Sequence, residues 1–176
     1  VPAKDAALVT KLKKAGAIIL GKTNVTELNS VVDDNLPEGY SALGGQVLLP
    51  SDTDKTPAGS SAGSAGATAA GLAAAAIGLQ TSPDTAQLIA PASVAGVVGF
   101  KPTVGRISRT GVLGVARSQD APGTLTKSVY DAAVQYQATA GRDSADPATI
   151  SPDTAADPAN VLATLSSTAL RGKKVA

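Results

Sequence analysis

The sequence predicts an α/β fold contained in one domain. A helical pattern runs into Gly16 and is followed at once by an apolar tetrapeptide, and this helix-then-strand order is typical of layered α/β proteins. Hydrophobic residues make up 43% of the 176 residues, which is enough for the core of one ordinary domain. No tandem repeat and no clear internal boundary divides the chain, so we expect residues 1–176 to form a single unit.

The first predicted elements are a helix, a strand and a loop. A helix follows Asp5, because apolar residues recur there at helical spacing: Leu8, Val9, Leu12 and Ala15. Gly16 suits the position just past the end of that helix. The sequence AIIL at 17–20 indicates a short buried strand. Residues 22–28 predict a loop that enters a short helix, with Asn24 as its N-cap.

The middle of the chain combines an irregular segment with a predicted helix. Residues 29–59 are rich in Asp, Gly and Pro, and a loop of this length inside a compact domain is usually functional. The Ala-rich run 63–76 predicts a buried helix, in which Gly66 and Gly71 would permit close approach to another backbone. Residues 75–79 can form a strand at its end.

The last third of the chain carries the strongest helix signal. Residues 94–100 first predict a buried strand. The helix then starts at Ser128, where Asp131 resembles the second half of a capping box, and ends at Gly141. Residues 160–170 predict a weaker helix.

Composition excludes several kinds of function. The net charge of +1 gives no electrostatic case for nucleic acid or anionic membrane as a partner, and no apolar run is long enough to span a bilayer. Cysteine and histidine are both absent, which excludes disulfides, thiolate chemistry and Ser-His-Asp triads. We expect no cofactor and no metal. Any acid–base chemistry must use Lys, Asp, Glu, Tyr or hydroxyl groups.

The stretch PAGSSAGSAGA at 57–67 is built only from small residues, and it allows three interpretations. A flexible linker is disfavoured because the run continues into a charge-poor, Ala-rich segment. A phosphate-binding loop is disfavoured because the Walker pattern requires Gly-Lys-Ser/Thr, and no lysine follows Gly63 or Gly66. The third interpretation is a catalytic turn.

Six sequence blocks favour the catalytic interpretation. They are AGAIILGKTNVTEL, GYSALGGQ, GSSAGSAGATAAGLAAAAIG, PASVAGVVGFKPTVGRISRTGV, SQDAPGTLTKSVYDAA and AGRDSADPAT. With these blocks in this order, the chain resembles the amidase signature family, most closely its peptide-amidase type. The resemblance implies a mixed β-sheet sandwiched by helices. It also implies that residues 1–176 are a single partial amidase-type domain, because the family's domain is far longer.

For the chemistry, the resemblance implies hydrolysis of linear carboxamides by a Ser–Ser–Lys triad. One serine is the nucleophile, and a second serine, held by a cis peptide bond, connects it to a buried lysine. A lysine kept neutral by desolvation can accept a proton through a bridging hydroxyl. The bridging serine maps onto Ser60. The alternative is that Ser60 and Ser61 only cap the following helix.

The nucleophile position is where the chain departs from the family pattern G-T-E-T-x-G-S-I-x-x-P-A. Here the corresponding stretch is GLQTSPDTAQLIAPA at 78–92. Counting forward from Ser60 without a gap places Asp84 at the nucleophile position, whereas counting back from Pro91 places Gln87 there. Neither is a serine. The hydroxyls nearby are Thr81, Ser82 and Thr85, and we take Ser82 and Thr85 as the candidate nucleophiles.

Five further positions match blocks that border the family's substrate cleft: Gly44, Gly45, Gln46, Ser61 and Asp120. The alternative for the first three is a plain turn. For the aspartate, the alternative is that its carboxylate braces a loop. The expected substrate is a small-molecule or peptide amide.

Lys4 imitates the family's lysine motif, but its place in the order of blocks argues against a catalytic role. We therefore expect the lysine to lie in a segment outside this chain, and the remainder of the same polypeptide to complete the fold. A catalytically degenerate amidase-fold protein with a binding or structural role is the alternative function, because LQTSPDTAQ has no serine in register. An anion-binding domain is a third and weaker alternative.

Overall fold

The structure is a computed structural model that describes residues 2–31, 33, 35–81, 87–150 and 160–174. Its helices are α1 (Ala7–Lys14), α2 (Ala62–Ala69), α3 (Ile89–Ala95), α4 (Val129–Thr139) and α5 (Val161–Thr164). Its strands are β1 (Tyr40–Ser41), β2 (Gly45–Gln46), β3 (Ala75–Gln80), β4 (Val98–Phe100) and β5 (Ala121–Thr126). Two 3₁₀ turns lie at Glu27–Ser30 and Pro147–Ile150. The predicted α/β class is confirmed.

Three strands form the sheet, in the order β3-β5-β4. β5 is central, runs antiparallel to both neighbours and is buried along its whole length. Gly78 and Gly123 face each other across β3 and β5. β1 and β2 form a separate antiparallel hairpin.

Helices cover both faces of this sheet. Side chains alternate between the faces along each strand, so each face presents apolar residues to a helix. On one face, Leu125 packs with Ala65 of α2, Ala92 of α3 and Leu88, which directly precedes α3. On the other face, Ile77 packs against a cluster that contains Leu8 of α1, Tyr136 and Ala140 at the end of α4, and Ile107 from the segment between β4 and β5. The predicted sandwich of helices around a sheet is therefore confirmed.

The two helices that the sequence predicts with a start and an end residue are present as α1 and α4. Gly16 adopts φ +90° and donates to the Lys13 carbonyl, which closes α1. Ser128 accepts a hydrogen bond of 3.1 Å from the Asp131 N–H and so caps α4.

The helix predicted over 63–76 is shorter than expected. It ends at Ala69 because Gly71 adopts φ +74° and the Leu72 N–H bonds the Ala67 carbonyl, a C-terminal motif that reverses the chain. Gly66 has only ordinary contacts, since an added Cβ would lie 3.6 Å from its nearest neighbour. The close backbone approach occurs instead at Gly63.

Two predicted strands differ from the structure. Residues 17–20 form no strand in the described part of the chain, and Ile18 and Leu20 are 85% and 74% exposed. A strand requires a neighbour to bond with, and β3, β5 and β4 do not extend to this segment. The strand predicted over 94–100 begins only at Val98, because α3 continues to Ala95 and ends at Gly96. No helix in the described ranges is long and apolar enough to cross a membrane.

Candidate active site

The peptide bond between Gly59 and Ser60 is cis, as the resemblance implied. The Ser60 carbonyl accepts a hydrogen bond of 3.1 Å from the Thr26 N–H. A Cβ on Gly59 would lie 2.5 Å from Thr26 Oγ1, so only glycine fits at this position. Thr26 Oγ1 in turn accepts from the Gly39 N–H at 2.8 Å, which ties the turn to the segment before the β1–β2 hairpin.

The Ser60 hydroxyl is buried at the edge of a small cavity. The residue is 3% exposed, and its Oγ has no hydrogen-bond partner among the residues that the structure describes. The cavity has a volume of about 110 Å³, room for several water molecules or a small polar group. Its lining consists of Asn29, Ser30, Leu36, Glu38, Gly59, Ser60 and Gln87.

Gln87 is the residue that faces Ser60 from the nucleophile region. Its carbonyl accepts a hydrogen bond of 2.9 Å from the Ser61 N–H, and its side-chain Oε1 accepts one of 2.8 Å from the Thr81 N–H. Gln87 is the position reached by counting back from Pro91. The other register position, Asp84, and the candidate nucleophiles Ser82 and Thr85 lie outside the described residues.

Ser61 connects α2 to β3 through its hydroxyl. Its Oγ accepts from the Leu79 N–H at 3.1 Å and donates to the Leu79 carbonyl at 3.4 Å. Ser61 holds the N-cap position of α2, yet its side chain makes no capping bond, so the alternative of a capping serine is wrong for this residue. A contact between Ser61 and substrate stays a prediction.

Three of the five residues predicted to border the cleft lie on the β1–β2 hairpin. Gly44 and Gly45 turn the chain, and the Gln46 side chain donates to the Glu38 carbonyl at 2.7 Å. Asn24, predicted as an N-cap, donates instead to the Gly45 carbonyl at 2.8 Å. Its amide is occupied by the hairpin, and this long-range contact replaces the local one.

Asp120 braces the loop before β5. It is 2% exposed, and its carboxylate accepts from Thr81 Oγ1 at 2.7 Å, from the Val115 N–H at 3.1 Å and from the Ala116 N–H at 3.2 Å. These contacts match the loop-bracing alternative. A contact between Asp120 and substrate stays a prediction.

A buried ion pair lies behind that loop. Arg109 Nη2 is 2.5 Å from Asp146 Oδ1, and Arg109 Nη1 donates to the Arg117 carbonyl. The hydrogen bond from Arg109 lowers the pKa of Asp146 to about 2, against an ordinary value of 3.8. The arginine is therefore engaged within the fold.

Two residues of the site, Glu38 and Thr26, were not predicted from the sequence. Glu38 lines the cavity next to Gly59, and nothing in the irregular stretch around it in the sequence marks it. Thr26 supports the turn from a position whose one sequence signal was its place in the first of the six blocks. No lysine lines the cavity in the described ranges, and Lys4 is exposed, in keeping with its exclusion as the catalytic base.

The described residues thus combine an α/β scaffold with a serine in a cis peptide beside a small cavity. The chain belongs to the Amidase family, whose profile matches residues 1–176.

Similar solved structures and curated sequences agree with this family. The native peptide amidase from Stenotrophomonas maltophilia is 45% identical, with a TM-score of 0.80 over 84% of this chain and 30% of that one. An amidase family protein from Bacillus anthracis is 38% identical, with a TM-score of 0.81 over 85% and 30%. A probable amidase of Arabidopsis thaliana is 38% identical over 149 residues, 85% of this chain and 28% of that protein. The chain thus spans less than a third of the length of these relatives.

Proposed function

We propose that the protein containing this chain hydrolyses the C–N bond of a linear carboxamide, with Ser60 as the relay between a nucleophilic hydroxyl and a lysine. The observation that carries the proposal is the Ser60 hydroxyl, which is buried, lies at a cavity and has no partner among the described residues. A buried hydroxyl without a partner costs free energy. The Ser60 hydroxyl also lies at a cavity and follows a cis peptide bond, and this combination supports a functional contact.

The chemistry follows from the properties of a serine hydroxyl, which donates one hydrogen bond and accepts others. As the nucleophilic oxygen attacks the amide carbon, its proton passes to Ser60 Oγ, and the proton of Ser60 passes to the neutral lysine. When the C–N bond breaks, the lysine returns a proton to Ser60 Oγ and Ser60 passes one proton to the leaving amine. Water then hydrolyses the acyl-enzyme and restores the nucleophile.

Ser82 and Thr85 remain the proposed nucleophiles. The support is the placement of the residues on either side of them. Thr81 and Gln87 are joined by a hydrogen bond of 2.8 Å, and Gln87 lines the cavity with Ser60. The two residues that flank Ser82 and Thr85 in the sequence are therefore hydrogen-bonded to each other, and one of them lines the cavity. Gln87 itself carries an amide, which is not a nucleophile of this kind.

The proposed substrate is a small-molecule or peptide amide held between the hairpin and the Ser60 turn. Gly44, Gly45 and Gln46 lie on that hairpin, and the Gln46 side chain donates to the carbonyl of Glu38, a residue that lines the cavity. The name of one relative, a peptide amidase, supports this class of substrate. The lysine, and the rest of the fold, would come from further polypeptide of the same protein.

A second candidate function is the binding of an amide without its hydrolysis. Gln87 favours it, because a side chain that cannot attack a carbonyl occupies the position beside Ser60. A primary amide at this place can still donate to and accept from a bound carboxamide.

Amine release from small and C-terminal peptide amides by the full-length protein distinguishes the two. We expect Ser60→Ala to lower kcat by about 10²–10⁴, the usual contribution of general acid–base catalysis. Ser93→Ala, on the exposed side of α3, is the matched control and keeps full activity. Ser82→Ala and Thr85→Val then identify the nucleophile. Equal rates for Ser60→Ala and wild type would contradict the hydrolytic proposal, and amide binding without turnover by the wild type would support the second function.

A further inference from the structure

We infer that Asp120 is a positioning residue that, through Thr81, fixes the Gln87 side of the Ser60 cavity. The inference rests on the proposed function, because it concerns the same site. It assigns to Asp120 a role in orienting the site through another side chain, without contact with the reacting atoms.

The first step is the buried hydrogen bond between Thr81 and Asp120. Thr81 Oγ1 donates to Asp120 Oδ1 at 2.7 Å, and the two residues are 6% and 2% exposed. A hydrogen bond to a carboxylate is roughly twice as strong as one between neutral groups. Thr81 is therefore held in one orientation at the end of β3.

The second step runs from the Thr81 main chain to the cavity. The Thr81 N–H donates to Gln87 Oε1 at 2.8 Å, and the Gln87 carbonyl accepts from the Ser61 N–H at 2.9 Å. Ser61 directly follows Ser60. One continuous chain of hydrogen bonds thus connects the Asp120 carboxylate with the wall of the cavity that faces the relay serine.

The third step concerns what holds Asp120 itself. Its carboxylate accepts from two main-chain N–H groups in the loop before β5, and a Cβ on Gly114 would lie 2.8 Å from its Oδ2. The same loop is held from behind by Arg109, which donates to the Arg117 carbonyl. The carboxylate therefore has little freedom to move away from Thr81.

Thr81→Val tests the link because it removes the hydroxyl at nearly constant shape. We expect kcat of the full-length protein for its amide substrate to fall by about 10–100-fold, since small displacements of a catalytic segment have effects of this size, while KM changes much less. Thr81→Ser keeps the hydroxyl and restores kcat. Thr124→Val is the matched control, because Thr124 is a fully buried threonine on β5 whose hydroxyl bonds no residue in the described ranges.

A second measurement separates this inference from the proposed function. If the wild-type protein cleaves no amide, the proposed function fails. Amide hydrogen exchange of the peptide that contains Thr81 and Gln87 then still tests the link, and it should be faster in Thr81→Val than in Thr124→Val. Should Thr81→Val not fold, Gly114→Ala displaces the carboxylate with every hydrogen-bonding group retained, and the same changes are expected. Exchange or kcat equal to that of the wild type in these variants would overturn the inference.

Discussion

Asp146 forms an ion pair with Arg109, whose guanidinium also bonds the loop that precedes β5. Its side chain and that of Arg109 are 5% and 14% exposed, and the arginine reaches it through both its guanidinium and its main-chain N–H. Asp143, close by, also has a lowered pKa because Ser108 donates to it. Charges placed in such surroundings are stabilising only while they remain paired.

The pKa of Asp146 predicts an acid-sensitive contribution to stability. The folded-state pKa of about 2 lies below the ordinary value of 3.8, so the contribution is complete above pH 4 and is lost as the pH falls from about 4 to 2. It amounts to about 2 kcal/mol, at about 1.4 kcal/mol per pKa unit.

Asp146→Asn in the full-length protein should therefore lower the free energy of unfolding at pH 7 by about 2–4 kcal/mol, because Arg109 is left without its charge partner. The deficit relative to wild type should narrow between pH 4 and pH 2. Urea unfolding across this pH range measures both effects. Asp54→Asn, at an exposed carboxylate, is the control. A deficit that is independent of pH would show that the charge of Asp146 is not the cause.

At the scale of elements, the start of α2 is placed by a glycine. A Cβ on Gly63 would lie 2.4 Å from the Asn24 carbonyl oxygen, and the Gly63 N–H donates to the same oxygen at 3.1 Å. The helix can therefore lie directly on the backbone of the Asn24 loop. This contact holds the Ser60 turn and the hairpin in one arrangement.

Gly63→Ala and Gly66→Ala should have opposite effects although both glycines belong to α2. Gly63→Ala forces two backbones apart and should destabilise the full-length protein by about 1–3 kcal/mol. Gly66→Ala has room for its Cβ at 3.6 Å and should be neutral or stabilising by up to about 1 kcal/mol, since alanine favours helix. Urea unfolding of the two variants measures both changes in the free energy of unfolding. A loss in Gly66→Ala as large as in Gly63→Ala would contradict this account of the helix contact.

The sequence predicted correctly those elements whose start and end are determined by residues close to them in the chain. α1 and α4 were predicted because their caps, Gly16 and Ser128, act within one turn of the helix. α3 was missed, and part of it was assigned to the strand at 94–100, because apolar runs of this length do not distinguish a buried strand from a buried helix. The strand at 17–20 failed because strand formation depends on a neighbour that no local pattern specifies.

In the candidate site too, sequence motifs predicted some features, whereas others depend on contacts that form only in the folded chain. The cis peptide at Ser60 was anticipated because small residues in an ordered set of motifs mark it. The position of Gln87 was left between two registers, because an insertion shifts the count on one side and only the folded contacts select the neighbour of Ser60. Asp120 was placed near the cleft, yet its link to Thr81 joins positions 39 residues apart and has no sequence signature.

At the scale of the molecule, several large apolar side chains are exposed on the described surface. Ile18, Ile19 and Leu20 are consecutive and are 85%, 41% and 74% exposed, and Leu43 is 100% exposed. Apolar side chains grouped as at 18–20 are typical of an interface. Since the relatives are about three times as long as this chain, we propose that further polypeptide of the same protein covers residues 17–20.

Replacing Ile18 and Leu20 together by serine tests that proposal, because it should act oppositely in two contexts. In the 176-residue chain on its own, both side chains face solvent, so the double variant should aggregate less and unfold at the same denaturant concentration as its parent. In the full-length protein both would be buried, and the variant should lose about 2–5 kcal/mol of unfolding free energy, as expected when large apolar side chains leave a core. Light scattering of the short chain and urea unfolding of the long one give the two readouts. Unchanged stability of the full-length variant would mean that residues 17–20 stay exposed in the complete protein, and the covering segment would then have to lie elsewhere.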